Sequence, residues 1–424
     1  MDVEKSYDVI VAGGGLAGTF AAIAAAREGA KTALFEQYGF LGGMATAAPV
    51  TVFMQYHVAV GGGEIRELVQ GLFTETIRRL QAQGMILESS FSFDDLALRG
   101  VLDDLAAEAG VEVFFHTFVT GIRKRGGKAR AIRYAGKGGL AEAEGRVFID
   151  ATGDGDLARA AGCPFTIGRA DGLMQPLTPT FMVGGVDPAR LPERKVMQRL
   201  LREAHARGES PIAGASMWAT PHSGLFFFNT CHVWNRSALD VRALSLAERE
   251  GRRLVREIVE ALRRWVPGFE RAYLARAGVS IGVRETRHLS GLYTLTREDV
   301  TSGRHFDDGV ARCAYEIDIH ALKPGEQTVS LVLPPGVYYE VPYRCLIPAE
   351  GPANILVACR ALSATHEAHG SLRIMPTLAG VGEAAGLAAA RALRKRDRVA
   401  AVDGAALKRE LLARGIMGEP FPAG

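Results

Sequence analysis

A chain of 424 residues, 48% hydrophobic and 23% charged, belongs to the globular class and has room for two or three domains. Its net charge of +3, without a clustered basic stripe, gives no ground for a nucleic-acid partner. Five scattered cysteines with no C-x-x-C pair argue against a disulfide framework, a cysteine zinc site or an iron–sulfur cluster. No signal peptide and no apolar run of membrane-spanning length stand out, so a reducing cytoplasm is the expected compartment.

Residues 7–36 read YDVIVAGGGLAGTFAAIAAAREGAKTALFE. The apolar, β-branched run from Tyr7 to Ala12 predicts a buried parallel strand. Gly13, Gly15 and Gly18 follow as G-x-G-x-x-G, with Leu16 and Ala17 inside the motif. A helix then continues to Arg27, and Lys31 to Phe35 predicts a second strand that ends in Glu36 and Gln37. In such a turn the first glycine permits the bend, the second lets a pyrophosphate approach the backbone, and the third lets helix and strand pack closely. The free N–H groups of the helix start favour phosphate. Glu36 lies 18 residues beyond Gly18, where a carboxylate can accept hydrogen bonds from ribose hydroxyls. A dinucleotide site is expected, and the acidic residue disfavours a 2′-phosphate, so NADP is not the resident nucleotide. The motif alone does not separate FAD from NAD.

An apolar strand at 148–150 leads into ATGDGD, which reads either as a plain turn or as a return of the chain to the nucleotide. Beyond Cys163 the composition turns to prolines and aromatics, and FFFNTCHVW (226–234) predicts a buried strand. In the basic run 248–265, Leu254, Val255, Ile258, Val259, Leu262 and Trp265 recur at helical spacing, so its arginines and glutamates form a solvated face. LPPGV (333–337) marks a return. NILVA (354–358) predicts the last strand of the parallel sheet, and CRALSATHEAHGSLRI a loop at its ligand-binding edge. Pro376 suits the first turn of a closing helix lined with alanine and glycine.

EQYGFLGGMAT (36–46), FIDATGDGDLARAAG (148–162), IGVRETRHLSGLYTLTREDV (281–300), VPYRCLIP (341–348) and the opening stretch together resemble the FAD-dependent oxidoreductase family. That family is a branch of the glutathione-reductase-type flavoprotein fold, related to the fumarate reductase flavoprotein, and the resemblance covers most of the chain. It implies an α/β fold: a Rossmann-like FAD/NAD(P)-binding domain with a parallel sheet and an inserted α+β substrate or cap domain. The cofactor domain is then discontinuous, 1–165 and 336–424, around a cap of 166–335. FAD is the implied cofactor. Gly42, Gly43, Ala45 and Thr46 would pass along its pyrophosphate and ribityl chain. The strand VEVFFHTFVTGI (111–122) would present the backbone of Val119 to adenine. Ala151, Gly153 and Asp156 would return beside the cofactor, and the helix start at Met375 and Thr377 would face the flavin. Such a helix end favours the reduced form by about 0.3–1 kcal/mol. Two positions depart from the pattern. Cys359 stands where close relatives are expected to carry glycine. Arg360 replaces the acidic residue that many flavoproteins place there, so a phosphate or carboxylate partner is expected for it.

The expected activity is hydride transfer between the flavin N5 and a small organic substrate, by a dehydrogenase or reductase. A flavin monooxygenase is the alternative, followed by a nucleic-acid-modifying or non-redox flavoprotein on the same fold. With one nucleotide fingerprint and no redox C-x-x-C, electrons must come or go through the substrate pocket, by a transient NAD(P)H or another carrier. His366 is the first candidate for acid or base because imidazole titrates near neutrality, with Glu367 and His369 as neighbours. Arg373, Arg284 and Arg287 are candidates to hold a carboxylate or another oxyanion. No metal is expected. Asp318 and His320 in YEIDIH have the ordinary alternation of a strand.

Overall fold

The apolar run that opens the chain becomes β1 (Glu4–Ala12), the middle of a seven-stranded sheet in this computed structural model, which describes residues 4–60 and 64–418. The other strands of that sheet are β2 (Thr32–Phe35), β3 (Glu112–Phe114), β4 (Phe118–Arg125), β5 (Lys128–Gly136), β6 (Gly139–Asp150) and β7 (Ile355–Val357). Their order is β3-β2-β1-β6-β5-β4, with β7 also pairing β6. Strands β3, β2, β1, β6 and β7 run parallel, whereas β4, β5 and β6 form an antiparallel meander. Val9, Ile10 and Val11 are fully buried, as a strand covered on both faces requires. The segment 111–122 is not one strand. His116 takes a positive φ of 54°, which breaks the run and sends β4 into the meander.

Two helices lie together on one face, Leu16–Arg27 after the glycine turn and Met375–Leu393 near the end. Glycine in the second explains how close they come. A Cβ on Gly382 would stand 2.1 Å from the Ala17 carbonyl oxygen, and one on Gly386 would stand 2.2 Å from that of Ala21. The motif-like GVGEAAG is therefore helix packing, and Pro376 sits in its helix's first turn as the sequence suggests.

The middle of the chain builds a second, antiparallel sheet in the order Met217–Ala219, Phe226–Phe228, Phe181–Gly184, Tyr273–Ala277. Helix Val241–Trp265 covers it, burying Val255, Ile258, Val259 and Leu262 against Phe181 and Phe228. Its other face carries pairs such as Arg253–Glu257 and Arg252–Glu248. The expected strand 226–234 keeps only its first three residues. Val233 instead bridges Leu177. Residues from Leu295 to Ile347 join the core beneath the seven-stranded sheet, so the chain has re-entered that layer well before β7. The stretch after β7 also differs from a plain loop. It contains helix His366–Leu372, capped by the Thr365 side chain on the Ala368 N–H. Among the described residues no helix is long and apolar enough to cross a membrane.

Candidate active site

The glycine turn forms because its backbone leaves no room for side chains. Gly13 has φ +97°, and a Cβ there would fall 2.4 Å from the Ala151 carbonyl oxygen. The second glycine loop lies on the first. Gly42 N–H donates to Gly14 O at 2.8 Å, and a Cβ on Gly43 would be 2.7 Å from the Gly15 Cα. The helix that starts at Leu16 has no side-chain cap, which leaves its first N–H groups free for a ligand. Glu36, at the end of β2, accepts from Gly14 N–H at 2.6 Å and from Tyr38 N–H at 2.8 Å. Burial raises its pKa, and those hydrogen bonds oppose the rise.

All of this borders one cavity. Gly13, Gly15, Leu16, Ala17, Glu36 and Gln37 line it, together with Gly42, Gly43 and Val119. Ala151, Gly153, Asp156, Arg360 and Met375 join them from the distant segments. Four expected residues stand behind the wall. Gly18 packs on Gly13, Ala45 is buried, Thr46 donates to Leu41 O at 2.7 Å, and Thr377 is buried in the closing helix. Arg360 has found its carboxylate partner, Asp154, at 2.5 Å. Cys359 lines the cavity as a buried thiol whose pKa burial pushes up to about 12, a packed group rather than a thiolate.

The same cavity holds a cationic, imidazole-bearing region. Arg284 is held by neutral oxygens, those of Pro176 O at 3.1 Å, Asn229 Oδ1 at 3.0 Å and Thr178 Oγ1. Among the described residues it makes no ion pair within salt-bridge distance, and burial, then the nearby Arg373, lowers its pKa to about 9. Arg373 donates to Asp318 O at 2.9 Å and pairs with Asp318 Oδ2 at 3.3 Å. His320 meets the same Asp318 oxygen through Nε2 at 3.3 Å and His232 Nε2 through Nδ1 at 3.1 Å. Burial and the Arg284 charge hold His320 down to about 4 and His232 to about 3, so both rings are neutral near pH 7. Asp318 stays ionised: burial alone would raise its pKa, but the hydrogen bond to His320 and the nearby Arg373 and Arg284 charges together bring it down to about 2. Tyr315 also lines the cavity.

Two of the four expected catalytic side chains lie elsewhere. His366 is absent from this cavity. Its Nδ1 meets Glu285 Oε1 at 2.7 Å, and the residue borders a second cavity. The cap at Thr365 starts a helix there and directs the imidazole to Glu285. Arg287 donates to Asp154 O and pairs with Asp156 at 2.7 Å, bracing the loop after β6. Arg284 and Arg373 do reach the cavity. His320 and Asp318, rather than His366, border the cavity. Nothing in their spacing marks them, since a two-residue alternation is what any strand shows.

Residues 8–411 match the family model described as FAD dependent oxidoreductase. The chain belongs to that family. A comparison with curated proteins found no match. Among solved structures, the oxidoreductase is similar to a geranylgeranyl bacteriochlorophyll reductase-like protein from Thermoplasma acidophilum. That match has 12% identity and a TM-score of 0.46, covering 97% of this chain and 84% of the other. A flavin-dependent brominase triple mutant aligns at 13% identity and TM-score 0.47, covering 95% and 83%. The p-nitrophenol 4-monooxygenase of Pseudomonas putida aligns at 13% identity and TM-score 0.40, covering 68% and 70%. Similarities at this level say nothing of substrate or reaction.

FAD is the cofactor of the oxidoreductase, and the cavity suits it. An uncapped helix start, a second glycine loop against it and a buried carboxylate share one wall. The closing helix, also without a side-chain cap, reaches the same space at Ile374 and Met375.

Proposed function

We propose that this oxidoreductase moves a hydride between its flavin and a small organic anion, with Arg284 and Arg373 holding the anion and His320 handling the proton. One observation carries the reading. Arg284 is a half-buried guanidinium that borders the cofactor cavity and, among the described residues, has only neutral oxygens as hydrogen-bond partners. Burying an unpaired charge is costly, and an anionic ligand offsets that cost. A planar carboxylate between two guanidinium groups is the ligand such a pair favours. The FAD supplies a hydride acceptor or donor at N5.

The chain's own residues do the rest. In the oxidising direction the proton released by the substrate goes to His320. Asp318 fixes that ring, and the His320–His232 contact offers a way onward. Without substrate, His320 is a weak base because burial and Arg284 depress it. A bound anion offsets the guanidinium field, the second cause of that depression after burial, and so raises the imidazole's pKa, strengthening the base when substrate is present.

For the cofactor, the proposal gives the pyrophosphate to Gly15, Leu16 and Ala17 with Gly42 and Gly43. Glu36 takes the ribose and the Val119 backbone takes adenine. The flavin end falls to Ala151, Gly153, Asp156, Arg360 and Met375. It also reads the sheet as the glutathione-reductase type, with 1–165 and 336–424 as the cofactor domain. The cap is centred on the second sheet within 166–335, supported by the separate apolar cluster beneath that sheet.

The test is anaerobic. Small 2-hydroxy and 2-amino carboxylates are mixed with the yellow protein without oxygen or nicotinamide, and the flavin's visible band is followed. Bleaching by one of these acids is the expected result. A requirement for oxygen, with a hydroxylated product, would make the protein a monooxygenase and overturn the proposal.

A further inference from the structure

Outside the cofactor cavity lies a group of titratable side chains that the reaction does not use. Two pairs share one spacing, Glu285-x-x-His288 entering the strand Arg287–Leu289 and His366-x-x-His369 on the helix His366–Leu372. Glu285 and His288 are 1% exposed and His369 is 0% exposed. One oxygen of Glu285 and one nitrogen each of His288 and His369 lie within 4.8 Å of one another. The two rings meet edge to face with centroids 4.6 Å apart.

The hydrogen bonding in this cluster is incomplete. Glu285 is well served. Its Oε1 meets His288 Nε2 at 2.9 Å and His366 Nδ1 at 2.7 Å, and its Oε2 accepts the Gln175 N–H at 2.9 Å. His369 has no hydrogen-bond partner for either ring nitrogen among the described residues, and neither has His288 Nδ1. A buried polar group left unpaired costs about 1–3 kcal/mol. An imidazole nitrogen placed near a second imidazole and a carboxylate has the surroundings of a metal ligand.

We propose that Glu285, His288 and His369 bind a first-row divalent metal ion of the zinc type. Two imidazoles and one carboxylate are a common ligand set for such ions. His366 and the Gln175 N–H hold the carboxylate from behind, the orienting role that outer partners play at metal centres. The closest pair, His288 Nε2 and Glu285 Oε1 at 2.9 Å, must open only slightly. Tetrahedral bonds of about 2.0 Å put ligands about 3.3 Å apart. The ion would join two segments that matter to the cavity. Arg284 directly precedes Glu285, and Arg373 caps the helix that carries His369. A metal here would fix the spacing of the two arginines.

The test counts metal and is independent of the reaction proposed above. The FAD-loaded protein is stripped with a chelator, dialysed against zinc, and its metal measured by mass spectrometry. Wild type should hold one zinc per chain, with nitrogen and oxygen but no sulfur ligands by X-ray absorption. The His369→Leu variant should hold none while retaining its flavin. Should that variant lose its flavin, His288→Gln serves in its place. Absence of stoichiometric zinc from wild type, or equal zinc in wild type and a flavin-retaining variant, overturns the proposal.

Discussion

Replacing Arg284 with glutamine should leave the protein no harder to unfold and make it weaker at holding an anion. Burial first, and Arg373 second, bring the Arg284 pKa from 12.5 to about 9, so carrying its charge at neutral pH costs about 5 kcal/mol relative to water. That penalty is fully present below pH about 9 and fades as pH rises from there toward 12.5, because a depressed base is relieved by losing its proton. Against it stand three hydrogen bonds from the charged guanidinium, to Pro176, Thr178 and Asn229, worth about 1.5–3 kcal/mol each. Glutamine removes the charge together with those bonds, which match or exceed the penalty, so the variant should be no more stable than wild type and at most about 4 kcal/mol less stable. Anion affinity moves the other way. Truncating one partner of a desolvated charge pair costs about 2–5 kcal/mol, a loss of roughly thirtyfold or more. Urea unfolding of the flavin-loaded protein measures the first quantity, and titration of the flavin spectrum with oxalate measures the second. A variant that unfolds less readily than wild type, or binds oxalate as tightly, would refute the view of Arg284 as a half-buried cation awaiting an anion.

Other expectations follow from the same geometry. His320→Gln should stay yellow and keep its oxalate affinity, while flavin reduction in a stopped-flow mixer slows by about 10²–10⁴-fold; an unchanged rate removes His320 from the reaction. Glu383, on the closing helix, accepts the Leu72 N–H at 2.9 Å, and burial raises its pKa from 4.5 to about 7. An acid raised in this way costs nothing below pH 4.5 and destabilises increasingly up to about 7, where the cost levels at about 3 kcal/mol. Glu383→Gln keeps an acceptor oxygen without the charge, so it should exceed wild type in alkaline denaturant melts and match it below pH 4.5; a constant difference would contradict this. Gly382→Val would drive a side chain into the Ala17 carbonyl and should cost about 1–3 kcal/mol or prevent folding. An unchanged melting temperature would show that the two helices can separate freely.

The parts of the fold that were legible in the sequence rest on local backbone demands. The glycines at 13, 15 and 18 announce themselves because the turn excludes any Cβ, and the strand before them is apolar because both its faces are covered. The closing helix was legible for a similar reason. Pro376 and a small-residue face are properties of the helix itself, and Gly382 and Gly386 then meet Ala17 and Ala21. The imidazole that borders the cavity was not legible. Arg284, Asp318 and His232 converge on His320 from separate stretches of the chain, and no local pattern encodes that meeting. His366 is the expected acid or base because imidazole titrates near neutrality and its segment follows the last strand, but the Thr365 cap folds that segment into a helix and the ring meets Glu285. The break at His116 was equally hidden, since a positive φ at a histidine leaves no trace in hydropathy.

The most direct measurement is a crystal structure of the protein with FAD and oxalate bound. The account predicts the dicarboxylate forked between Arg284 and Arg373, within reach of His320 and beside the flavin ring. Oxalate bound elsewhere, or both arginines engaged by the FAD phosphates, would contradict it.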